Sequence, residues 1–226
     1  MLTLHRAALV LPDPADPTAP SHADGAVLVR GELVGAVGPY AGLAAAHPAA
    51  RVRDWGDALL TPGLRNPYGH WLLERAYHPD PREGVGDEPV PEGLTGERDE
   101  TRCGASARRG LQRMLGAGVT AVAGPFERAS VRTAVARSGL VVLPGAGEDA
   151  GAGPLDPLAV LPLAEAGYGR VAVGGRADFA VFAPGAADAG GAAGASGAAG
   201  AGGPDGPRAG GCRATVLAGR LVFRRR

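Results

Sequence analysis

The chain has no lysine: all 23 basic residues among its 226 are arginine. That absence removes every mechanism that needs a Schiff base, a carbamylated lysine between metals, or the lysine of a phosphate-binding loop. Sulfur is almost as scarce. Cys103 and Cys212 are far apart and form no C-x-x-C pair, which argues against a disulfide framework and a structural zinc site. Neither sign of charge is in excess, with 23 basic against 23 acidic residues. No field is left to attract nucleic acid or an acidic membrane. No apolar run reaches the roughly 18 residues of a membrane-spanning helix. The opening MLTLHRAALV is interrupted at once by Pro12, Asp13 and Pro14, too short for the core of a signal peptide. These absences predict a soluble, cytoplasmic protein with no nucleic-acid and no membrane partner. Histidine is limited too: there are five, and the last is His78.

What the chain does have is glycine (38), proline (20) and much alanine, a bias typical of GC-rich coding. It is long enough for a real core. A closed (β/α)₈ barrel alone takes about 250 residues, so it cannot hold one together with anything else.

The first third reads as strands. Leu2–Leu11 alternates loosely, and residues 12–24 form a Pro/Ala/Asp-rich loop. Ala26–Arg30 and Leu33–Val37 make a hairpin about Gly31-Glu32, because glycine in first place suits a two-residue turn. Ala41–Ala46 reads as a short helix, and Arg51–Trp55 and Ala58–Thr61 as short strands. Residues 79–100 are acidic and rich in Pro and Gly, a long loop of the kind that serves as a lid or stays disordered. A helix over Thr101–Ala117 follows, with Leu111, Met114 and Leu115 on one face and Gly116 and Gly118 at its end. Strand Val119–Ala123, helix Phe126–Ser138 closed by Gly139, and strand Leu140–Leu143 make a β–α–β alternation that implies parallel pairing. A third helix is expected over Leu158–Ala166. Asp178–Phe182 is a strand, and Ala214–Leu217 with Arg220–Arg224 form a hairpin about Ala218-Gly219. Residues 184–211 are nearly all Gly, Ala, Ser, Pro and Asp, which predicts a disordered insert. The Arg224-Arg225-Arg226 tail reads as a solvated end.

Several of these segments resemble, in order, the amidohydrolase superfamily, and most closely its imidazolonepropionase and aminodeoxyfutalosine deaminase branch. DGAVLVRGELVGAVGPY (24–40) resembles that family's opening hairpin. LLTPGLRNPYGHWLLE (59–74) is similar to L-x-P-G-L-x-N-x-H-x-H-x-x-x-E at the first barrel strand. SARRGLQRMLGAGVTAVAG (106–124) resembles the first barrel helix and second strand. GRADFAVFAP (175–184) and TVLAGRLVFR (215–224) resemble the closing strands.

The resemblance implies an α/β fold in two parts. Residues 1–60 and 172–226 would form a composite β-sandwich domain from both termini. Residues 61–171 would hold a truncated (β/α) barrel remnant, with room for about three of the eight βα units of a closed barrel. The family activity it implies is hydrolysis of non-peptide C–N bonds, by deamination or cyclic-amide opening. There a divalent metal (zinc, iron or manganese) lowers the pKa of a bound water. The H-x-H histidines can share one ion because alternate strand residues point the same way.

Aligned on Pro62-Gly63-Leu64-Arg65-Asn66, the H-x-H positions fall on Tyr68-Gly69-His70. His70 is the remaining candidate ligand. Tyr68 stands where the first histidine would be, and a tyrosine with a pKa of about 10 is a poor ligand at neutral pH. No histidine follows His78, so later ligands would have to be carboxylates. Glu148 and Asp149, after the Leu140–Leu143 strand, are the candidates. The bland readings are a hydrogen-bonded polar residue for His70, packing for Tyr68, and a solvated loop for Glu148 and Asp149. Asn66 reads as structural, bonding nearby backbone. His78 follows His70 closely enough to approach it. His5, His22 and His47 fall in the composite part. Cys103, at a helix start with no histidine after it to act as partner, reads as an inert thiol. Gly174-Gly175 and Gly116-Ala117-Gly118 form no dinucleotide or Walker pattern, so no nucleotide cofactor is expected.

Two function classes follow. One is a hydrolase with a reduced metal site, impaired by the missing ligands, acting on a small-molecule substrate and completed by a second subunit. The other is a non-catalytic relative that serves as a binding or structural partner, as a homo-oligomer or with a full-length homologue. A third, a small-molecule binder using loop 79–100 as a lid, rests on that loop's length alone.

Overall fold

The computed structural model describes residues 2–184 and 206–225. The predicted insert at 184–211 therefore lies mostly outside the described residues. The fold is mixed α/β; both ends of the chain, expected to form a composite β-sandwich domain, contribute strands to one sheet. Its strands are β1 (Leu2–Val10), β2 (His22–Arg30), β3 (Leu33–Pro39), β4 (Arg51–Asp54), β5 (Leu59–Pro62), β9 (Phe179–Phe182), β10 (Cys212–Leu217) and β11 (Arg220–Arg224). They run in the order β11-β10-β9-β5-β1-β2-β3, with β4 also paired to β1. A smaller parallel sheet has β6 (Leu64–Asn66), β7 (Val119–Ala123) and β8 (Val141–Leu143) in sequence order.

The large sheet curls until its ends meet. The Val34 N–H donates to Gly175 O, the Ala177 N–H to Glu32 O and the Gly219 N–H to Ala177 O, all at 2.8–2.9 Å. The curl encloses one apolar core, in which Val27, Val29 and Val34 meet Phe179, Val181 and Val216. The sandwich expected from the resemblance is thus one sheet folded over its own face. Its last turn places Ala218 at φ +47° and Gly219 at φ +72°, the double positive geometry of a tight type I′ hairpin. Asp178 stabilises that turn by accepting the Ala218 N–H at 2.7 Å. The Ala-Asp pair of the GRADFAVF segment thereby has a structural use.

Strand β9 is buried on both sides. Phe179 and Val181 face the core of the curled sheet, while Ala180 and Phe182 face a second core shared with the parallel unit. FAVF is a continuous apolar run for this reason, since a strand covered on both faces needs no polar alternation. The second core also holds Leu64, Leu72, Leu73, Leu111, Met114 and Val122.

Helix α1 (Tyr40–Ala46) lies beside β3. Helix α2 (Glu100–Gly116) starts at Asp99, whose carboxylate accepts the Thr101 N–H at 2.8 Å. It buries Cys103, Ala107, Leu111 and Met114, at the helical spacing read from the sequence, while Leu115 is only partly buried. Helix α3 (Ala129–Ser138) starts three residues later than Phe126, the expected first residue. The N–H groups of Glu127 and Arg128 are both donated to Glu74 instead of entering a helix. The single helix expected over Leu158–Ala166 is two short turns, Pro157–Ala159 and α4 (Leu163–Ala166). Pro162 divides them, because the residue before a proline is kept out of helical conformation. The acidic segment 79–100 is irregular but anchored. Tyr77 and Val90 exchange backbone hydrogen bonds, and Leu94 is buried against Tyr77 and Cys103. Among the described residues no helix is long and apolar enough to cross a membrane.

Candidate functional site

Open parallel α/β sheets place their chemistry at the carboxyl ends of the strands. Here Asn66, Ala123 and Leu143, the last residues of β6, β7 and β8, together line a cleft of about 320 Å³. Arg65, Tyr68, Gly145 and Ala146 complete much of its wall. Asn66 is fully buried, and its amide donates to the carbonyls of Pro154 and Leu155 while its oxygen accepts the Tyr68 N–H at 2.8 Å. It is the structural backbone anchor expected, although its two acceptors lie far along the chain. Tyr68 packs over the segment around Gly153, where a Cβ would stand 2.2 Å from the ring. Glycine is required there by space alone.

His70 is not on the cleft wall. It sits one step behind, at the start of a single wide helical turn, Trp71–Arg75. Gly69 allows that turn to press onto β7, since a Cβ there would lie 2.4 Å from Ala123 O. The His70 Nδ1 is 2.9 Å from Pro125 O, so Nδ1 carries the hydrogen and donates it. Glu74 Oε2 lies 3.7 Å from the same nitrogen, and both side chains are 5 % exposed. The other oxygen, Glu74 Oε1, accepts the N–H groups of Glu127 (2.6 Å) and Arg128 (2.8 Å). His70 and Glu74 thus form a clasp that holds the turn after β6 to the segment after β7. The sequence motif ends on Glu74, but sequence reasoning assigned that residue no role. The signal for one was its spacing: four residues after His70 on a helical turn puts both on one face.

The remaining candidates are dispersed. Glu148, on the short turn Gly147–Ala150, is exposed and lies 3.5 Å from Arg75, which is also paired with Glu92 at 2.7 Å. Asp149 is exposed on the same turn. His78 is fully buried, with Nε2 bonded to Leu72 O at 2.8 Å. Burial, together with Arg113 and Arg109, lowers its pKa to about 4. Cys103 is buried with Sγ 3.2 Å from Arg128 Nη1, and burial raises its thiol pKa, so it is no activated nucleophile. His5, within the curled sheet, is held neutral by burial with a pKa lowered to about 3.

A catalytic zinc takes three protein ligands and keeps one open position. His70 keeps one free ring nitrogen, Nε2, because Nδ1 is committed to Pro125. Among the described residues, however, no three His, Cys, Asp or Glu side chains come together as a metal-holding group. The structure does not bring His70, Tyr68, Glu148 and Asp149 into one ligand set, and the residues present do not fit a metal-water site.

Comparison with known proteins supports the resemblance at the hairpin where it was read. Residues 25–50, which span most of β2, all of β3 and α1, match the model of the imidazolonepropionase-like composite domain of bacteria. No curated protein sequence matches the chain. Similar solved structures include a guanine deaminase from Bradyrhizobium japonicum, with 20 % identity, TM-score 0.45, and coverage of 62 % of this chain and 34 % of that one. A zinc-bound adenosine deaminase from Xanthomonas campestris has 23 % identity, TM-score 0.43, and coverage of 62 % and 33 %. The aminofutalosine deaminase of Helicobacter pylori has 17 % identity, TM-score 0.37, and coverage of 55 % and 28 %. The chain spans about a third of the length of these structures.

Proposed function

We propose that the chain is an amidohydrolase-like protein that does not activate water on a metal and acts as a binding or structural partner. One observation carries this reading. The single histidine left at the H-x-H position is built into a clasp with Glu74, Pro125 O and the 127–128 backbone, and among the described residues no group of three His, Cys, Asp or Glu side chains forms around it. Tyr68 occupies the cleft wall where a second imidazole would be needed. The cleft itself remains, in the place where α/β proteins bind small molecules, so the ligand-binding half of the ancestral function is retained while the hydrolytic half is not.

The competing reading is a hydrolase of non-peptide C–N bonds, of the kind named by the guanine and adenosine deaminase neighbours. The cleft's position at the strand ends and the free Nε2 of His70 favour it. Turnover separates the two. The purified chain, incubated with excess Zn²⁺ or Mn²⁺, is assayed for ammonia release from aminopurines and for ring opening of cyclic amides. The proposal expects no turnover above a metal-only blank. Turnover that disappears in His70→Ala contradicts it.

A further inference from the structure

The chain has no net charge, yet its arginines are not evenly matched. Two adjoining clefts, of about 310 and 250 Å³, lie where β4 and β11 meet, and they share Asp54, Trp55 and Arg224. Arg51, Arg53, Arg213 and Arg225 supply most of the remaining walls. The acidic groups nearby are already used. Asp54 pairs with Arg6 at 3.0 Å and also accepts the Gly56 N–H, and Asp57 pairs with Arg213 at 2.5 Å. Among the described residues no carboxylate is paired with Arg51, Arg53, Arg224 or Arg225. Four guanidinium groups thus line the two adjoining clefts; Arg225 feels the Asp156 carboxylate, and Arg51, Arg53 and Arg224 have no carboxylate paired with them among the described residues.

The acidic segment 79–100 does not supply it, because Asp80, Glu92, Glu97 and Glu100 are paired with Arg109, Arg75, Arg102 and Arg128. The floor is rigid. Trp55 packs on the curled sheet's core, its indole N–H donates to His5 Nδ1 at 3.4 Å, and the two rings are stacked. The Arg224 guanidinium lies 5.7 Å from the Trp55 ring centroid. Like charge is held together at a cost here: burial, and then Arg51 and Arg224, lower the Arg53 pKa.

We propose that this cleft binds a small, multiply charged oxyanion, a di- or triphosphate or a polycarboxylate. The planar arginine fork pairs bidentately with either group, and four such forks around one floor match two or more anionic groups on one molecule. A concave site of this size fits a small molecule, and four arginines are too few for the phosphate backbone of a nucleic acid. None of its lining residues lines the cleft at the ends of β6–β8. The arginines of the C-terminal tail, read from the sequence as a solvated end, are two of the walls.

The test is calorimetric titration of the whole chain with pyrophosphate and with citrate at matched ionic strength, with Arg53→Gln, Arg224→Gln and Arg98→Gln as variants, Arg98 being exposed before the start of α2, the helix end away from β11. Saturable 1:1 binding is expected, weakened by at least roughly tenfold in Arg53→Gln and in Arg224→Gln and unchanged in Arg98→Gln. Preference for pyrophosphate or for citrate identifies the group recognised. A Trp55 fluorescence change that saturates with the heat, and is absent in Trp55→Phe, places the ligand on this floor. No saturable heat with either anion overturns the proposal, as does equal weakening in all three arginine variants.

Discussion

Removing the Glu74 carboxylate tests whether the His70–Glu74 pair is a structural clasp. Glu74→Ala leaves the Glu127 and Arg128 N–H groups without their acceptor and His70 without its neighbouring charge. Hydrogen bonds to charged groups contribute about 1.5–3 kcal/mol each, and the site is nearly closed to water, so the loss should be about 3–5 kcal/mol. For a chain of this size each kcal/mol moves the melting temperature by about 2–4 °C, so Tm should fall by roughly 6–20 °C. Glu74→Gln keeps an oxygen that can accept both N–H groups and should lose only about 1–2 kcal/mol. His70→Ala frees Pro125 O and should cost about 2 kcal/mol. Because both side chains hold the segment 125–128, the double variant should fall short of the sum by about 1 kcal/mol. Urea unfolding of the parent and the four variants at pH 7.5 measures all of this. A Glu74→Ala variant as stable as the parent would refute the clasp and leave Glu74 a free carboxylate beside His70.

Two other outcomes follow from the structure. His5 and His78 are buried neutral, with pKa values lowered to about 3 and about 4 from an ordinary 6.5. Their stabilisation is therefore complete above pH 6.5 and is lost as pH falls toward those values. Each should cost about 2 kcal/mol between pH 7.5 and 5, and a urea midpoint that does not move over that interval would show the histidines to be solvated. Ala218 holds φ +47° in a turn whose Cβ disfavours it. Ala218→Gly should therefore raise stability by about 0.5–1 kcal/mol, read as a higher melting temperature, and a lower one would contradict the turn assignment.

How far the sequence revealed this molecule depended on the range of the interaction. Short-range signals were readable: Gly31 with Glu32, Ala218 with Gly219, the apolar face of α2, and strand Val119–Ala123. Both ends of the chain could be assigned to one composite domain because GRADFAVFAP and TVLAGRLVFR resemble the closing strands of the amidohydrolase superfamily; that they share a single curled sheet came from the structure. Long-range contacts were not readable. The delayed start of α3 depends on Glu74, more than fifty residues earlier in the chain. The arginine cleft exists only because the curl of the sheet brings β4 beside β11, and no local pattern in RVRDW or LVFRR announces it. At the candidate site the sequence named His70 and the lost histidine at Tyr68. It could not show that His70 stands behind the cleft wall while Glu148 pairs with Arg75 on the surface.

The central proposal is that the described residues form no metal-water site, and metal stoichiometry tests it most directly. Elemental analysis of the purified, folded, untagged protein and of His70→Ala, after equilibration with Zn²⁺, Fe²⁺ or Mn²⁺ and gel filtration, should give far below one equivalent for both. About one equivalent retained by the parent and lost in His70→Ala would contradict the account, make His70 Nε2 a true ligand and restore the hydrolase reading.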